Sequence, residues 1–289
     1  MAETNTLARP AADVTKVAED YYDSSDADNF YAAIWGGEDI HIGLYDSPDE
    51  PIRQASHKTV LKMAELLNGL RPGARVLDIG AGFGGAARVL AKKYGAHVTC
   101  LNLSDVENER NRKLTEEQGL SDLVEVVHGS FENIPEPDNS FDIVWSQDAI
   151  LHSGNREKVL KEVARVLKPG GEFIFTDPMQ ADGIEDESVL EPIYARIHLD
   201  SLGSFGFYRK ELGGLGFEEV VIEDLTPQLR THYDRVGKEL ASRRQELNDQ
   251  ISDGYIDKML VGLRNWVKGA DNGHLAWGIM HFQLGQTRN

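Results

Sequence analysis

One stretch constrains this chain more than any other: Val76-Leu77-Asp78-Ile79-Gly80-Ala81-Gly82-Phe83-Gly84-Gly85. A short apolar run ends in closely spaced glycines, and a helix-like stretch over 86–93 follows at once. Glycine there permits a tight turn and a close approach of backbone to a bound ligand. The strand-to-helix rhythm then recurs. Residues 97–102 read as a second strand, with a helix over 106–118. Residues 124–128 read as a third strand and 141–145 as a fourth, with a helix over 156–167. After the turn Lys168-Pro169-Gly170-Gly171, residues 172–176 read as a fifth. Strands alternating with helices through short connections predict an α/β fold: a parallel, doubly wound, Rossmann-like sheet with helices on both faces. Downstream, helices are expected over 190–202 and 210–215 and a strand over 220–225. Long helices follow between 229 and 268, and a final strand over 274–284 completes the sheet.

Upstream, residues 17–45 are rich in aromatics: Tyr21, Tyr22, Phe30, Tyr31, Trp35 and Tyr45. Over 52–67, Val60, Leu61, Met63, Ala64 and Leu67 fall near helical spacing, and Asn68-Gly69 and Pro72-Gly73 stop the helix. The expected organisation is a flexible arm over 1–15, a helical aromatic lid segment over 16–70 and a ligand-binding Rossmann-like core over 71–177. A helical substrate-side insert over 178–217 and C-terminal helices and strands over 218–289 complete it.

In a dinucleotide enzyme the helix after the bend holds a pyrophosphate. Asp78, just ahead of the glycines, would repel one. It suits the ammonium end of a methionine moiety, met directly or through water. The spacing Gly80-x-Gly82-x-Gly84 also departs from the dinucleotide pattern Gly-x-Gly-x-x-Gly. About 20 residues further on, where such folds meet a ribose, Asn102 takes the place of the usual acid. An amide both donates and accepts, so it can hold a diol neutrally. Gly129-Ser130-Phe131 falls where an adenine edge would lie. Gln147-Asp148 reaches the same mouth, the crevice beyond the carboxyl ends of the strands.

The chain carries 48 acidic against 30 basic residues, a net charge of −18, spread along its length. Such a surface repels phosphate backbones, so nucleic acid is not an expected partner. The even spread favours adaptation to a salty cytoplasm over an ordinary acidic enzyme. No apolar run reaches the roughly 18 residues a membrane span needs. The polar, acidic start lacks the features of a secretory leader, so a cytoplasmic location is expected. Cys100 is the single cysteine and stands in an apolar run, where it reads as a core thiol. The nine histidines are scattered, without metal-ligand spacing, and no metal is expected.

Further blocks narrow the reading. They are Tyr21-Tyr22-Asp23-Ser24-Ser25-Asp26, Phe30-Tyr31, Trp35-Gly36-Gly37-Glu38-Asp39-Ile40-His41-Ile42-Gly43-Leu44-Tyr45, Trp145-Ser146-Gln147-Asp148-Ala149-Ile150-Leu151-His152-Ser153 and Thr176-Asp177-Pro178-Met179. Gly203-Ser204, Tyr208, His232-Tyr233 and Trp277-Gly278 join them. With the glycine bend, they make the chain resemble class I S-adenosylmethionine-dependent methyltransferases. Within that class it resembles the sarcosine/dimethylglycine N-methyltransferases, over about 15–284.

The resemblance implies S-adenosylmethionine as methyl donor, a small amine substrate, a monomer or homodimer, and methylation of sarcosine and dimethylglycine to the osmoprotectant glycine betaine. It implies that Gly80, Gly82, Asn102, Ser130, Phe131 and Gln147 line the cofactor site; Asp78, Ala81 and Leu103 are placed there with them. Phosphoethanolamine methyltransferases, more distant relatives, share an Asp-x-x-x-His element matched by Asp148 and His152, and an N-terminal tyrosine matched by Tyr22 or Tyr21. Tyr22 and His152 are therefore the candidate catalytic pair. A methylated nitrogen suits aromatic faces, with Trp35, Tyr31, Tyr22 and Tyr208 as candidates. The glycines beside Trp35 read as the hinge of a mobile lid. The substrate carboxylate calls for a cation, with Arg196, Arg53 and His41 as candidates. Two other readings stay open: a methyltransferase for a larger natural-product or lipid acceptor, and a non-catalytic cofactor-binding module.

Overall fold

Strand β1 (Arg75–Ile79) is buried from Val76 onward. It pairs in parallel with β2 (His97–Asn102) on one side and β4 (Phe141–Gln147) on the other. A run apolar on both faces is what a strand in the middle of a two-sided parallel sheet requires. The structure, a computed structural model, describes Lys16 and residues 23–35, 37–194, 199 and 201–286. With β3 (Val124–His128), β5 (Leu167–Thr176), β7 (Phe217–Asp224) and β9 (Gly278–Leu284), the seven-stranded order is β3-β2-β1-β4-β5-β9-β7. β9 runs antiparallel to both of its neighbours. It slots in so closely that a Cβ at Gly278 would lie 2.0 Å from the Glu223 carbonyl oxygen. The strand order reverses between β1 and β4, and open α/β sheets bind ligands at that reversal.

Both faces of the sheet are covered. Val76, Cys100, Trp145, Ile174 and Ile279 pack with α2 (Ile52–Leu66) and α3 (Gly85–Tyr94). Leu77, Val144, Phe173, Phe175 and Met280 pack with α5 (Arg156–Val166) and α7 (Phe205–Gly214). Alternate residues of each strand thus serve opposite layers. Between β2 and β3 runs α4 (Asp105–Glu117), started by Ser104, whose hydroxyl accepts from Glu107 N. A third core joins α1 (Ser25–Trp35) to the hairpin of α8 (Thr226–Leu247) and α9 (Asp253–Asp271).

The residues between α1 and α2 cross the carboxyl end of the sheet as an extended strap. Ile42 N donates to Asp148 Oδ2 at 2.7 Å and Gly43 N to His232 Nδ1 at 3.2 Å. The Ser56 and Thr59 hydroxyls donate to the His41 and Ile42 carbonyls. Gly43 lies so close to α2 that a Cβ would sit 2.6 Å from Ala55 backbone.

Four expectations need correction. Of the helix expected over 190–202, the described residues form the end of a 3-10 turn (Glu187–Leu190) and α6 (Glu191–Tyr194), while Leu199 and 201–204 are non-helical and 195–198 and 200 lie outside the described residues. The Gly203 carbonyl accepts from Gln180 N, at the end of the short β6 (Met179–Gln180), which fixes that stretch as extended. Ser204 then caps α7, which starts at Phe205 rather than 210. The turn 168–171 is a bulge inside β5: Leu167 already pairs with Phe141, and Glu172 resumes pairing at Ile143. The strand expected over 274–284 is two. β8 (Leu275–Ala276) pairs with β6, and β9 follows.

Glu172 fastens α2 to the sheet. It accepts from Asn68 N at 3.0 Å and from Gly69 N, and meets the buried His281 Nε2 at 2.9 Å. Burial raises its pKa, but His281 and the two amides outweigh that and hold the carboxyl below its ordinary range. A buried donor left without its acceptor costs about 1–3 kcal/mol. Glu172→Ala is expected to lower stability by about that much in urea unfolding; a loss under about 1 kcal/mol contradicts this role.

Candidate functional site

The crevice opens where the sheet order reverses. Gly80 and Gly82, both with positive φ, form its floor after β1. A Cβ at Gly80 would lie 2.3 Å from Ala149 Cβ, so only glycine lets the two loops meet. Asn102, Leu103, Ser104 and Glu107 line one side; Gly129 and Phe131 follow β3; Gln147, Asp148, Ala149 and His152 follow β4. The strap supplies Ile40 as a roof, its Cδ1 3.0 Å from a Cβ placed at Gly82. The crevice continues, through the shared Ile40, Gly80, Gly82 and Gln147, into a smaller recess lined by Asp39, His41, Asp78 and Ala81.

Electrostatics distinguish the two ends. Asp78 is buried, and burial pushes its pKa up to about 7, with the charge of Asp39 adding to the rise. No cation faces Asp78 to offset this among the described groups that shift it. At the other end Asn102 Nδ2 donates to Glu107 Oε2 at 2.9 Å. Glu107 is also pushed up to about 7, by burial foremost; the Asn102 hydrogen bond opposes this, and Asp28 and Asp23 add to it. Buried atoms without a hydrogen-bond partner, among the described residues, include Asp39 Oδ1, His41 Nε2 and Gln147 Nε2. Such groups cost free energy unless a ligand satisfies them.

Asp148 holds the site together. It adopts φ 51°, rare for a non-glycine residue. Its Oδ2 accepts from Ile42 N and its Oδ1 from Trp277 Nε1 at 2.8 Å, joining strap, core and C-terminal segment at one carboxylate. Burial raises its pKa, against the opposing charge of His41 and these hydrogen bonds. Arg88 on α3, almost fully buried, donates to the Phe83 carbonyl, to Asn111 Oδ1 and to Glu38 Oε2, tying the glycine bend to the strap.

The structure brings together Asp78, Gly80, Ala81, Gly82, Asn102, Leu103, Phe131, Gln147, His152 and His41. Other expected residues lie elsewhere. The Ser130 hydroxyl accepts from Glu132 N and caps the turn. Tyr208 is fully buried, donating to Asp177 Oδ2 at 2.6 Å, with its ring against Phe175. Trp35 is core, its indole N–H bonded to the His41 carbonyl and its ring beside Phe30, Tyr31 and His232. Tyr31 is buried in the same cluster. Arg53 lies in a separate groove with His57, Lys92 and Lys93. Tyr22, Tyr21 and Arg196 fall outside the described residues. Sequence reasoning missed Asp39, Ile40, Glu107 and Arg88. Ser104-x-x-Glu107, a capping-box pattern, was the available signal for Glu107.

Comparison with known proteins decides the family. A family described as a methyltransferase domain matches residues 77–175. The sarcosine/dimethylglycine N-methyltransferase of Aphanothece halophytica is 54% identical over 93% of this chain and 97% of its own length. The enzyme of that name from Halorhodospira halochloris is 55% identical over 93% of this chain and 96% of its own. This chain belongs to the sarcosine/dimethylglycine N-methyltransferase family. A crystal structure of a putative sarcosine dimethylglycine methyltransferase from Galdieria sulphuraria superposes with a TM-score of 0.87 at 43% identity, covering 92% of this chain and all of that one. The class I methyltransferase sheet expected from the sequence is therefore the fold of this chain, and S-adenosylmethionine is the methyl donor that its family uses. Among the described residues no helix is long and apolar enough to cross a membrane, and no cluster of three His, Cys, Asp or Glu is placed to hold a metal.

The empty-site pKa of Asp78 fixes the sign of a pH effect. An ammonium binds the ionised carboxylate, so S-adenosylhomocysteine affinity should rise with pH through about 7 and level off above it. Calorimetry in two buffers of different ionisation heat reads the proton released on binding. Asp78→Ala should abolish binding while the far-ultraviolet spectrum stays unchanged; near-normal affinity removes Asp78 from the site.

Proposed function

We propose that this chain transfers methyl groups from S-adenosylmethionine to the nitrogen of sarcosine and of N,N-dimethylglycine, giving glycine betaine. The carrying observation is near-complete coverage by relatives of that activity at 54% and 55% identity. The crevice agrees with it. Asp78 offers an uncompensated carboxylate for an α-ammonium, and Asn102 with Glu107 offers a donor and an acceptor for a ribose diol. Gly129 and Phe131 offer a slot for the adenine, and Gln147 Nε2 an unused donor.

When bound, the cofactor supplies an electrophilic methyl group on a sulfonium, open to in-line displacement. The protein's task is to present a nitrogen lone pair and exclude water. Sarcosine and dimethylglycine are ammonium ions at neutral pH, so each must lose a proton first. His152, at the end of the 3-10 turn Ile150–His152 on the crevice wall, is the base we assign. Tyr22 is its proposed partner, carried by the family resemblance. His41, which lines the recess, and Arg196 are the cations proposed for the substrate carboxylate. The strap and α1 form the proposed lid segment, closing the mouth from the N-terminal side. The reaction needs no metal in this scheme. The acidic surface fits a soluble enzyme of a salt-rich cytoplasm.

A labelled methyl-transfer assay with glycine, sarcosine, dimethylglycine and hydrophobic acceptors, at low and high salt, tests the reading. Label in betaine from sarcosine and dimethylglycine is expected; turnover confined to a hydrophobic acceptor contradicts it. His152→Ala should lower kcat about 10²- to 10⁴-fold, the usual worth of a general base, and leave S-adenosylhomocysteine affinity unchanged. An unaltered kcat removes His152 from the chemistry.

A further inference from the structure

Asp39 is over nine-tenths buried, and its two carboxylate oxygens have different fates. Oδ2 lies 3.0 Å from His57 Nδ1 on α2. Oδ1 has no hydrogen-bond partner among the described residues. It sits against the head of α3, where a Cβ at Gly85 would come within 2.2 Å of it. Asp39 forms part of the wall between the recess that holds Asp78 and the outer groove that holds His57, Arg53 and Lys93. The nearness of the two carboxylates is registered in Asp78, which the Asp39 charge pushes further up. Burying a second, half-satisfied carboxylate beside one that already lacks a cation is costly unless something positive comes between them.

We propose that Asp39 is a second carboxylate for the cofactor's α-ammonium, oriented by His57, so that the ammonium is held between Asp78 and Asp39. This assignment rests on the cofactor reading above and adds a residue to it. An ammonium has three N–H donors, and Asp78 with Asp39 Oδ1 gives it acceptors on two sides. The hydrogen bond to Asp39 foremost, and the Asp39 charge, raise the His57 pKa. Burial and the charges of Arg53 and Lys93 oppose that rise. His57 touches Asp39 and not the recess, so it is a positioning residue.

The test compares two ligands by calorimetry: S-adenosylhomocysteine and its deaminated analogue, S-adenosyl-4-thiobutyrate. Asp39→Asn should weaken S-adenosylhomocysteine about 10- to 100-fold, the worth of a charge-assisted hydrogen bond, and change the analogue less than about threefold. His57→Gln should show the same selectivity at smaller size and raise KM for S-adenosylmethionine with kcat unchanged. Equal losses for both ligands in either variant, or no loss in both, overturn the assignment. If the unaltered protein binds neither ligand, the cofactor reading falls and this one with it. If it binds both equally, only the ammonium contact falls.

Discussion

Everything in this site depends on one buried carboxyl group, Asp78, which no cation offsets among the described groups that shift it. Asp78 lies at the end of β1 because the strand must deliver the chain into the glycine bend. The sheet and its two helical layers leave the carboxyl almost no exposed surface. A buried carboxylate in that position destabilises the empty protein and favours whatever positive group can reach it. Glu107 at the ribose end and Asp177 just after β5 are also pushed up to about 7, by burial foremost, although Arg110 and Arg156 oppose the rise. Each has a folded pKa above its unfolded one. Their contribution to stability is therefore complete below the unfolded carboxylate range and lost as pH rises through about 7. Binding at the first two recovers part of that loss.

A second constraint keeps the ends of the chain in register with the core. The strap, the loop after β4 and the segment before β9 have no regular pairing with one another. They meet at Asp148, whose left-handed backbone is tolerated because both of its oxygens are engaged. That meeting sets Ile40 over Gly82 and Ala149 over Gly80, so the crevice has walls before a ligand arrives. Arg88 does the same from below, converting one buried guanidinium into hydrogen bonds with the glycine bend, the strap and α4. The aromatic rings of Phe30, Tyr31 and Trp35 pack on one another within the core that α1 shares with α8 and α9.

Much of the layout was legible because strand cores are short apolar runs and helix starts carry caps. β2 to β4 begin where expected, and the glycine bend with Asp78 lies at the end of the sheet where the crevice opens. What escaped was set by tertiary context. Glu107 looked like one more charge on a polar helix, yet it turns back to Asn102. Asp39 was one acid among many in an acidic chain, and only folding places it beside Asp78. The glycines next to Trp35 read as a hinge, but a hydrogen bond to the His41 carbonyl fastens the ring. Tyr208 offered an aromatic face, and its hydroxyl is taken by Asp177. Pro169-Gly170-Gly171 read as a turn, while neighbouring strands absorb it as a bulge.

The chemistry of the site turns on the charge state of one side chain, Asp78. Carbon-13 labelling of aspartate, with Asp78 assigned through its loss in Asp78→Asn, allows the carboxyl to be titrated directly by NMR. The empty protein should show Asp78 titrating near 7, and saturation with S-adenosylhomocysteine should move that midpoint down by at least one unit, about 1.4 kcal/mol of ligand stabilisation. A carboxyl that titrates near 4 in the empty protein, or one whose midpoint the ligand leaves in place, would contradict the central claim.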